Sequence, residues 1–309
     1  MACPKSLSDF LQWASRAINA RRYMVILSGH GAGFLGAMAD FSHGGPQIMG
    51  IPQMAKAFNR ALKNSRKKVY YLLMDACYMN LVENAYEFAL RGTAKVFLGS
   101  GGLVPLKGYD YRLIIERFCL QELFSGAKSI AVNNDLNGVE ATLLDKHFLT
   151  LLKQQLSGVA ERLIRLGISP AGLNADDETL ISLSELLNKI LNRFSTDAAL
   201  TEFSIEALEL LKKIELPEYG VKIFCPGRQE TFTNFAGYYG SLSFSRNNFW
   251  PVWLSGGMAP AGESFNGSFS STFLPLGVLT EHLLNLNAGM TIAEIKKIYQ
   301  QLGWTAQGF

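Results

Sequence analysis

The chain is poor in the residues that build metal sites and disulfide frameworks. It has four cysteines and four histidines among 309 residues. The cysteines, Cys3, Cys77, Cys119 and Cys225, form no CxxC pair and show no spacing typical of a zinc site. No apolar run approaches the roughly 18 residues that a membrane-spanning helix needs. The sequence therefore disfavours metal-held small domains, dense disulfide scaffolds and a membrane partner.

The chain also has little excess charge of either sign. Lys and Arg total 29, Asp and Glu total 26, and the formal net charge is +3. The basic cluster at 63–68 has no interleaved aromatic residue, so we interpret it as a solvated turn and predict no nucleic-acid partner. GxSxG is absent, and the GxGxxG match at 31–36 is followed by glycines and a proline where a dinucleotide-binding helix should run. We therefore predict no cofactor.

Apolar residues, by contrast, are abundant. The chain is 48% hydrophobic and 18% charged, enough to bury one large core or two modest ones. Alternating patterns predict a parallel sheet with helices on its faces over residues 1–125, followed by a mostly helical region, 126–309, packed on it. The predicted elements are helix 6–20, strand 23–28, Gly-rich loop 29–50, helix 52–64, strand 69–74, helix 80–91, strand 95–98, helix 110–123, a helical stretch 127–217, strands 221–225 and 238–244, a Gly/Ser-rich stretch 255–272, and helices 276–287 and 292–303.

Two of the predicted strands end at a reactive side chain. One apolar run leads into His30, and the other leads into Asp75-Ala76-Cys77. Because the carboxyl ends of parallel strands meet at one edge of a sheet, we expect the imidazole and the thiol to lie close together. A thiol beside an imidazole is typical of a cysteine nucleophile with a histidine partner. The other candidates for a reactive thiol, Cys119 and Cys225, lie in apolar patterns and are predicted to be core residues.

The residues around these strand ends carry a family resemblance. Segment 72–87, LLMDACYMNLVENAYE, together with 26–33, ILSGHGAG, resembles the catalytic core of clostripain-like cysteine peptidases. These peptidases belong to the clan that includes caspases, legumain and gingipains. Segments 96–100 and 108–111 resemble the strand and loop that follow the nucleophile. The resemblance is strong over about 7–123, and it implies an α/β, caspase-like, mostly parallel sheet flanked by helices, with a largely helical C-terminal region carrying a few added strands.

The resemblance implies a cysteine endopeptidase acting on peptide or protein substrates. By analogy, Cys77 attacks the scissile carbonyl and His30 is the general acid and base. The backbone N–H groups of Gly31 and Cys77 would form the oxyanion hole, and Gly31 allows close approach because it has no Cβ. His43, in the loop after this motif, is a second titratable candidate, although a surface histidine is the simpler interpretation.

The resemblance also gives Asp75 a role in substrate selection. In the family, the acid two places before the cysteine contributes to the primary specificity pocket and favours Arg or Lys before the cut bond. A carboxylate at the base of a pocket can pair with a substrate cation. The alternative is an Asp that caps the following helix or holds the turn. The loop at 100–107 has no acid to reinforce the preference, so a neutral or mixed specificity stays open.

One departure from the family pattern concerns the sheet. Family members usually begin with an additional strand and helix ahead of the segment that starts here, so we expect 1–125 to lack this leading strand. An incomplete sheet exposes backbone groups and apolar side chains, which predicts a partner or self-association at that edge. It also motivates the alternative of a catalytically silent, peptidase-like binding scaffold or a fragment of a peptidase.

Resemblance alone suggests two further properties. Some family members use calcium, although isolated acids such as Asp40, Asp110 and Asp135 show no loop with calcium-binding spacing. A secreted or periplasmic bacterial location is typical of the family, whereas we recognise no targeting signal in the sequence as given.

Overall fold

A four-stranded sheet lies at the centre of the molecule. The computed structural model describes residues 2–20, 22–40, 47–63, 68–104, 108–115, 138–174, 179–215 and 220–256. The sheet strands are β1 (Arg22–Ser28), β4 (Lys68–Asp75), β5 (Val96–Gly99) and β6 (Glu140–Leu143), in the order β1-β4-β5-β6. The first three are parallel, and β6 runs antiparallel to β5. The predicted mostly parallel sheet is confirmed.

Helices and two small strand pairs surround this sheet. The strand pairs are antiparallel: β2 (Ala37–Asp40) with β3 (Gln47–Met49), and β7 (Leu180–Ser182) with β8 (Lys222–Phe224). Short 3₁₀ turns cover Gly33–Leu35 and Pro170–Gly172. The helices are α1 (Pro4–Ala17), α2 (Ile51–Leu62), α3 (Val82–Arg91), α4 (Tyr111–Ile115), α5 (Lys146–Arg165), α6 (Leu183–Arg193), α7 (Ala198–Ile214), α8 (Gln229–Ser241) and α9 (Trp250–Leu254).

The central strand β4 is buried on both faces. Leu72 and Met74 join the larger hydrophobic cluster, with residues of α1, α2, α3 and α5. Tyr71 and Leu73 join a second cluster that includes Ile114 of α4. Because successive side chains of a strand point to opposite faces, burial on both sides requires a continuous apolar run. This explains why β4 was predictable from sequence. It also explains why the polar residue at its carboxyl end, Asp75, stands out from the apolar run before it.

One sequence-based prediction about local structure is wrong, and two others are incomplete. The strand predicted at 238–244 falls largely within helix α8, whose buried residues Phe232, Phe235 and Tyr239 repeat at helical spacing. The helical stretch predicted at 127–217 contains strands β6 and β7. Each is only three or four residues long, too short for its periodicity to compete with the flanking helical pattern. The predicted loop 29–50 also contains the β2–β3 pair.

Several other predictions fall outside the described residues. These are the part of helix 110–123 beyond residue 115, the core position of Cys119, nearly all of the Gly/Ser-rich stretch 255–272, and both closing helices. The proposed division at 125/126 also lies there and stays a prediction. Cys225, by contrast, is fully buried, as predicted.

Buried carboxylates join α3 to later parts of the chain. Glu83 Oε1 accepts hydrogen bonds from Phe224 N at 2.9 Å and Tyr239 Oη at 2.8 Å. Glu87 Oε1 accepts from Ser243 N and, at 3.3 Å, from Phe244 N. Burial raises the pKa of both carboxyl groups, that of Glu83 to about 7. The helix that follows the Cys77 turn is therefore held by residues far along the chain.

Within the described ranges, no helix combines the length and apolarity needed to cross a bilayer. Nor do three His, Cys, Asp or Glu side chains of those ranges gather into a potential metal site.

Candidate active site

The strands that carry His30 and Cys77 end side by side. β1 and β4 are parallel neighbours, and their register pairs Ser28 with Asp75. His30 lies two residues beyond Ser28, and Cys77 lies two residues beyond Asp75. A backbone hydrogen bond from Gly29 N to Asp75 O, 3.1 Å long, continues the pairing past the strands. Both reactive side chains therefore emerge at the carboxyl edge of the sheet, where open α/β sheets form their sites.

Gly31 is in direct contact with the Cys77 backbone. A Cβ built on Gly31 would lie 2.3 Å from the carbonyl oxygen of Cys77 and 3.0 Å from the Cβ of Ala76. Only glycine tolerates this approach. Backbone hydrogen bonds from Ala32 N to Gly36 O and from Met38 N to His30 O hold the segment on either side of Gly31.

The Cys77 turn is tight and strained. Tyr78, the next residue, has φ +61°, in the left-handed region that non-glycine residues adopt at a cost of roughly 1–2 kcal/mol. Its N–H donates to Gly102 O at 2.8 Å. On the other side, Val104 N–H donates to Cys77 Sγ at 3.4 Å. The segment 100–104 therefore forms a wall that contacts both the backbone and the thiol of the turn.

Both reactive groups favour their neutral forms. Burial lowers the pKa of His30 from 6.5 to about 4, so its imidazole is uncharged near neutral pH. Burial also raises the pKa of the Cys77 thiol; the Val104 N–H opposes this shift and the Asp75 charge adds to it. A neutral imidazole can accept a proton from a neutral thiol, which is the first requirement for a thiol nucleophile with a base.

Asp75 lies at the base of this arrangement, only 5% exposed. Its Oδ2 accepts hydrogen bonds from Ser28 Oγ at 3.3 Å and from Tyr111 Oη. Gly108, at φ +71°, passes so close that a Cβ there would lie 2.6 Å from Oδ2. Among the described residues, Asp75 forms no ion pair with Lys or Arg. The capping alternative is wrong, because helix α3 begins at Val82 and its N-cap, Leu81, makes no side-chain cap.

The structure thus brings His30, Gly31, Asp75 and Cys77 to one edge of the sheet, as the sequence predicted. Three contacts were not predicted from sequence, namely the hydroxyl groups of Ser28 and Tyr111 on Asp75 and the Val104 N–H on the thiol. Tyr111 and Ser28 belong to segments singled out for their family resemblance, so that signal could have drawn attention to them. His43 lies outside the described residues.

Cavity size alone does not locate this site. A cavity of about 710 Å³ lies at the opposite, amino ends of the strands, with Arg22, Tyr70 and Lys95 in its lining. Its lining includes neither His30 nor Cys77, so we give it no part in the chemistry.

Comparison with known proteins identifies relatives for this site. The sequence profile of the clostripain family matches residues 1–165, more than half of the 309 residues and including His30 and Cys77. No curated protein matches the chain.

Solved structures of this kind share the fold. An inactive zymogen C11 protease from Parabacteroides distasonis is 16% identical, with a TM-score of 0.55 over 79% of this chain and 75% of that chain. A secreted C11 cysteine protease from Bacteroides thetaiotaomicron is 14% identical, with a TM-score of 0.54 over 79% of this chain and 76% of that one. A secreted C11 cysteine protease from the same organism, solved in complex with an irreversible peptide inhibitor, is 15% identical. Its TM-score is 0.52 over 79% of this chain and 77% of that chain. These similarities confirm the caspase-like fold.

Proposed function

The chain belongs to the clostripain family and is a cysteine peptidase; we propose that Cys77 and His30 form its catalytic dyad and that it cleaves after Arg or Lys. The observation that carries the dyad is the shared register of β1 and β4, which ends both strands at one edge with Gly31 against the Cys77 carbonyl. No other described Cys and His lie on adjacent strand ends. Peptides are the substrates of such an enzyme; a calcium requirement and a secreted or periplasmic location stay predictions.

In this mechanism the proton moves between two initially neutral groups. As Cys77 Sγ attacks the carbonyl carbon, His30 accepts the thiol proton, and the N–H groups of Gly31 and Cys77 bind the carbonyl oxygen as it becomes an oxyanion. The imidazolium then protonates the leaving amine, and the C–N bond breaks to leave a thioester. Water, deprotonated by His30, releases the acid and restores the thiol.

The basic specificity is proposed from the surroundings of Asp75. Its Oδ2 is held by two hydroxyl groups, from Ser28 and Tyr111, which fix the carboxylate without neutralising it. Oδ1 accepts no bond from the described residues and faces no cation among them. A substrate guanidinium or ammonium would supply the missing charge in a largely dehydrated site.

Covalent labelling tests the dyad. We use a peptidyl acyloxymethyl ketone ending in lysine, which must bind before it alkylates a thiol. The protein carries Cys3→Ser, because Cys3 is exposed and hydrogen bonding from Ser6 lowers its pKa, so it would react on its own. We expect mass spectrometry to show one equivalent of label on Cys77. The labelling rate should decrease when the pH is lowered below about 4, because His30 then becomes charged and cannot accept the thiol proton.

A matched pair of histidine variants controls this experiment. His30→Ala should slow labelling, whereas His147→Ala, at an exposed position in α5, should leave the rate unchanged. Label on Cys225 at the same rate as on Cys77, or a folded protein that is not labelled at all, would contradict the proposal.

The position of β1 at the edge of the described sheet supports a further proposal, that the chain self-associates. Among the described residues β1 pairs only with β4. Residues of α1 and β1, together with Leu62 and Val69, line an apolar cleft of about 230 Å³. Phe10 and Trp13 of α1 are 50% and 62% exposed. A strand at the edge of the described sheet, beside exposed apolar side chains, favours pairing with a second copy.

We therefore expect the average mass in sedimentation velocity to rise with protein concentration. Met24→Lys places a charge on the edge strand, and Trp13→Ser removes apolar surface; either should shift the chain toward monomer. Phe249 lies outside α1 and β1 and is 44% exposed, so Phe249→Ser should leave the average mass unchanged. A monomer at every concentration, with β1 amides protected from hydrogen exchange, would contradict self-association.

A further inference from the structure

Asn80 connects the Cys77 turn to three separate parts of the chain. It is fully buried, and all four of its polar groups are paired. Its backbone N donates to Ser100 O at 2.9 Å, and its backbone O accepts from Lys222 N at 3.1 Å. Its side chain donates from Nδ2 to Glu140 Oε2 at 2.6 Å and accepts at Oδ1 from Thr142 Oγ1 at 2.8 Å. These partners lie after β5, in β8 and in β6, so one side chain and its peptide groups join the turn to all three.

Glu140 extends this connection to the wall beside the thiol. The same Oε2 that accepts from Asn80 also accepts from Gly101 N at 3.0 Å. Gly101 is closely packed there, since a Cβ on it would lie 3.1 Å from Lys222 Cγ and 3.2 Å from Glu140 Oε2. Three residues further, Val104 N–H contacts Cys77 Sγ. Glu140 therefore holds both sides of the thiol, through Asn80 on the turn and through Gly101 on the wall.

The turn needs such support because of its backbone conformation. Tyr78 is held at φ +61° between Cys77 and Asn80. A non-glycine residue persists in this region only where its surroundings fix it. Gly102 O fixes the turn at Tyr78 N, and Asn80 fixes its end. Loss of the Asn80 side chain would free the turn to relax, would leave the buried Thr142 hydroxyl without its acceptor, and would remove one of the two hydrogen bonds that Glu140 Oε2 accepts.

We propose that Asn80 is a positioning residue for the nucleophile, with Glu140 and Thr142 as its anchors. The proposal rests on the role of Cys77 proposed above. It assigns β6 and β8 a part in catalysis, because through Asn80 they set where Sγ lies relative to His30 and the oxyanion donors. A misplacement of about 1 Å at a reacting atom can lower a rate about 100-fold.

The test measures the two constants of inactivation by the lysine ketone, the limiting rate and the half-saturating concentration. For Asn80→Ala we expect the limiting rate to fall by about 10- to 100-fold, with the half-saturating concentration within about twofold of the parent, because ketone binding near Asp75 does not involve Asn80. Thr142→Val keeps the shape and removes one anchor, so it should lower the limiting rate by a smaller factor. Glu140→Gln should retain the parent rate, because a carboxamide oxygen can accept both hydrogen bonds, whereas Glu140→Ala should not.

The matched control is Asn174→Ala. Asn174 is also buried, and its Nδ2 donates to Cys225 O at 2.7 Å, away from the thiol. All measurements are made well below the unfolding midpoint of every variant. Parent-like limiting rates for Asn80→Ala and Thr142→Val, or an equal loss in Asn174→Ala, would overturn the proposal while leaving Cys77 as the nucleophile. If Asn80→Ala does not fold, Thr142→Val and the two Glu140 variants decide. A parent protein that is not labelled at Cys77 contradicts the proposed function instead.

Discussion

Cys77→Ala should reduce the hydrolysis of peptide substrates to background while leaving the fold intact. Without the thiol no covalent intermediate can form, and substrate binding and the oxyanion donors alone give only weak catalysis. The expected loss in kcat is therefore at least about 10⁴-fold. Cys77 is only half-buried, and Ala is smaller, so the turn held by Gly102 and Asn80 should persist. The measurement is kcat/KM on a fluorogenic peptide ending in Arg, with the thermal midpoint recorded in parallel.

The companion variants separate the two members of the dyad. His30→Ala should cost on the order of 10²–10⁴ in turnover, the usual scale for general acid–base assistance. The double variant should be no worse than Cys77→Ala alone, because residues that act as a unit are not additive. Cys3→Ser is the control, since it removes an exposed thiol far from the turn in sequence. Retained activity in Cys77→Ala would exclude the cysteine mechanism at this site.

The sequence predicted that His30 and Cys77 lie at one edge of the sheet because this prediction depends only on local sequence patterns. Strands β1 and β4 are apolar runs that stop at polar residues, and their adjacency follows from the parallel α/β pattern. Gly31 shows the physical reason for one of these residues, since the Cys77 carbonyl leaves no room for a Cβ. Features of this kind depend on a few neighbouring residues, so a single sequence suffices.

The remaining features depend on residues that are distant in the chain. Asn80 meets Glu140 across 60 positions and Glu83 meets Tyr239 across 156, and nothing in the local pattern around either residue indicates its partner. The α8 prediction was wrong for a related reason. Its aromatic residues read as a strand over seven positions, whereas the helical repeat becomes visible only when Phe232 and Phe235 are included.

Asp75→Asn should abolish the preference for basic residues before the cleaved bond. The carboxamide keeps the shape, and its oxygen can still accept from the hydroxyl groups of Ser28 and Tyr111, so only the charge is removed. Loss of a largely dehydrated ion pair with the substrate is worth roughly 2–5 kcal/mol. The ratio of kcat/KM between Arg and norleucine substrates should therefore fall by roughly 30-fold to several thousand-fold.

Two further variants identify which property of Asp75 is responsible. Asp110→Asn removes an exposed charge from the residue directly before Tyr111 and should leave the ratio nearly unchanged, which excludes a general electrostatic effect. Tyr111→Phe removes one hydroxyl that orients the carboxylate and should lower the ratio by a smaller factor than Asp75→Asn. If Asp75→Asn lowers kcat/KM equally for Arg and norleucine substrates, Asp75 supports the turn and does not select the substrate. The proposed preference for Arg or Lys would then lose its support, because the wall at 100–104 carries no acid that could replace Asp75.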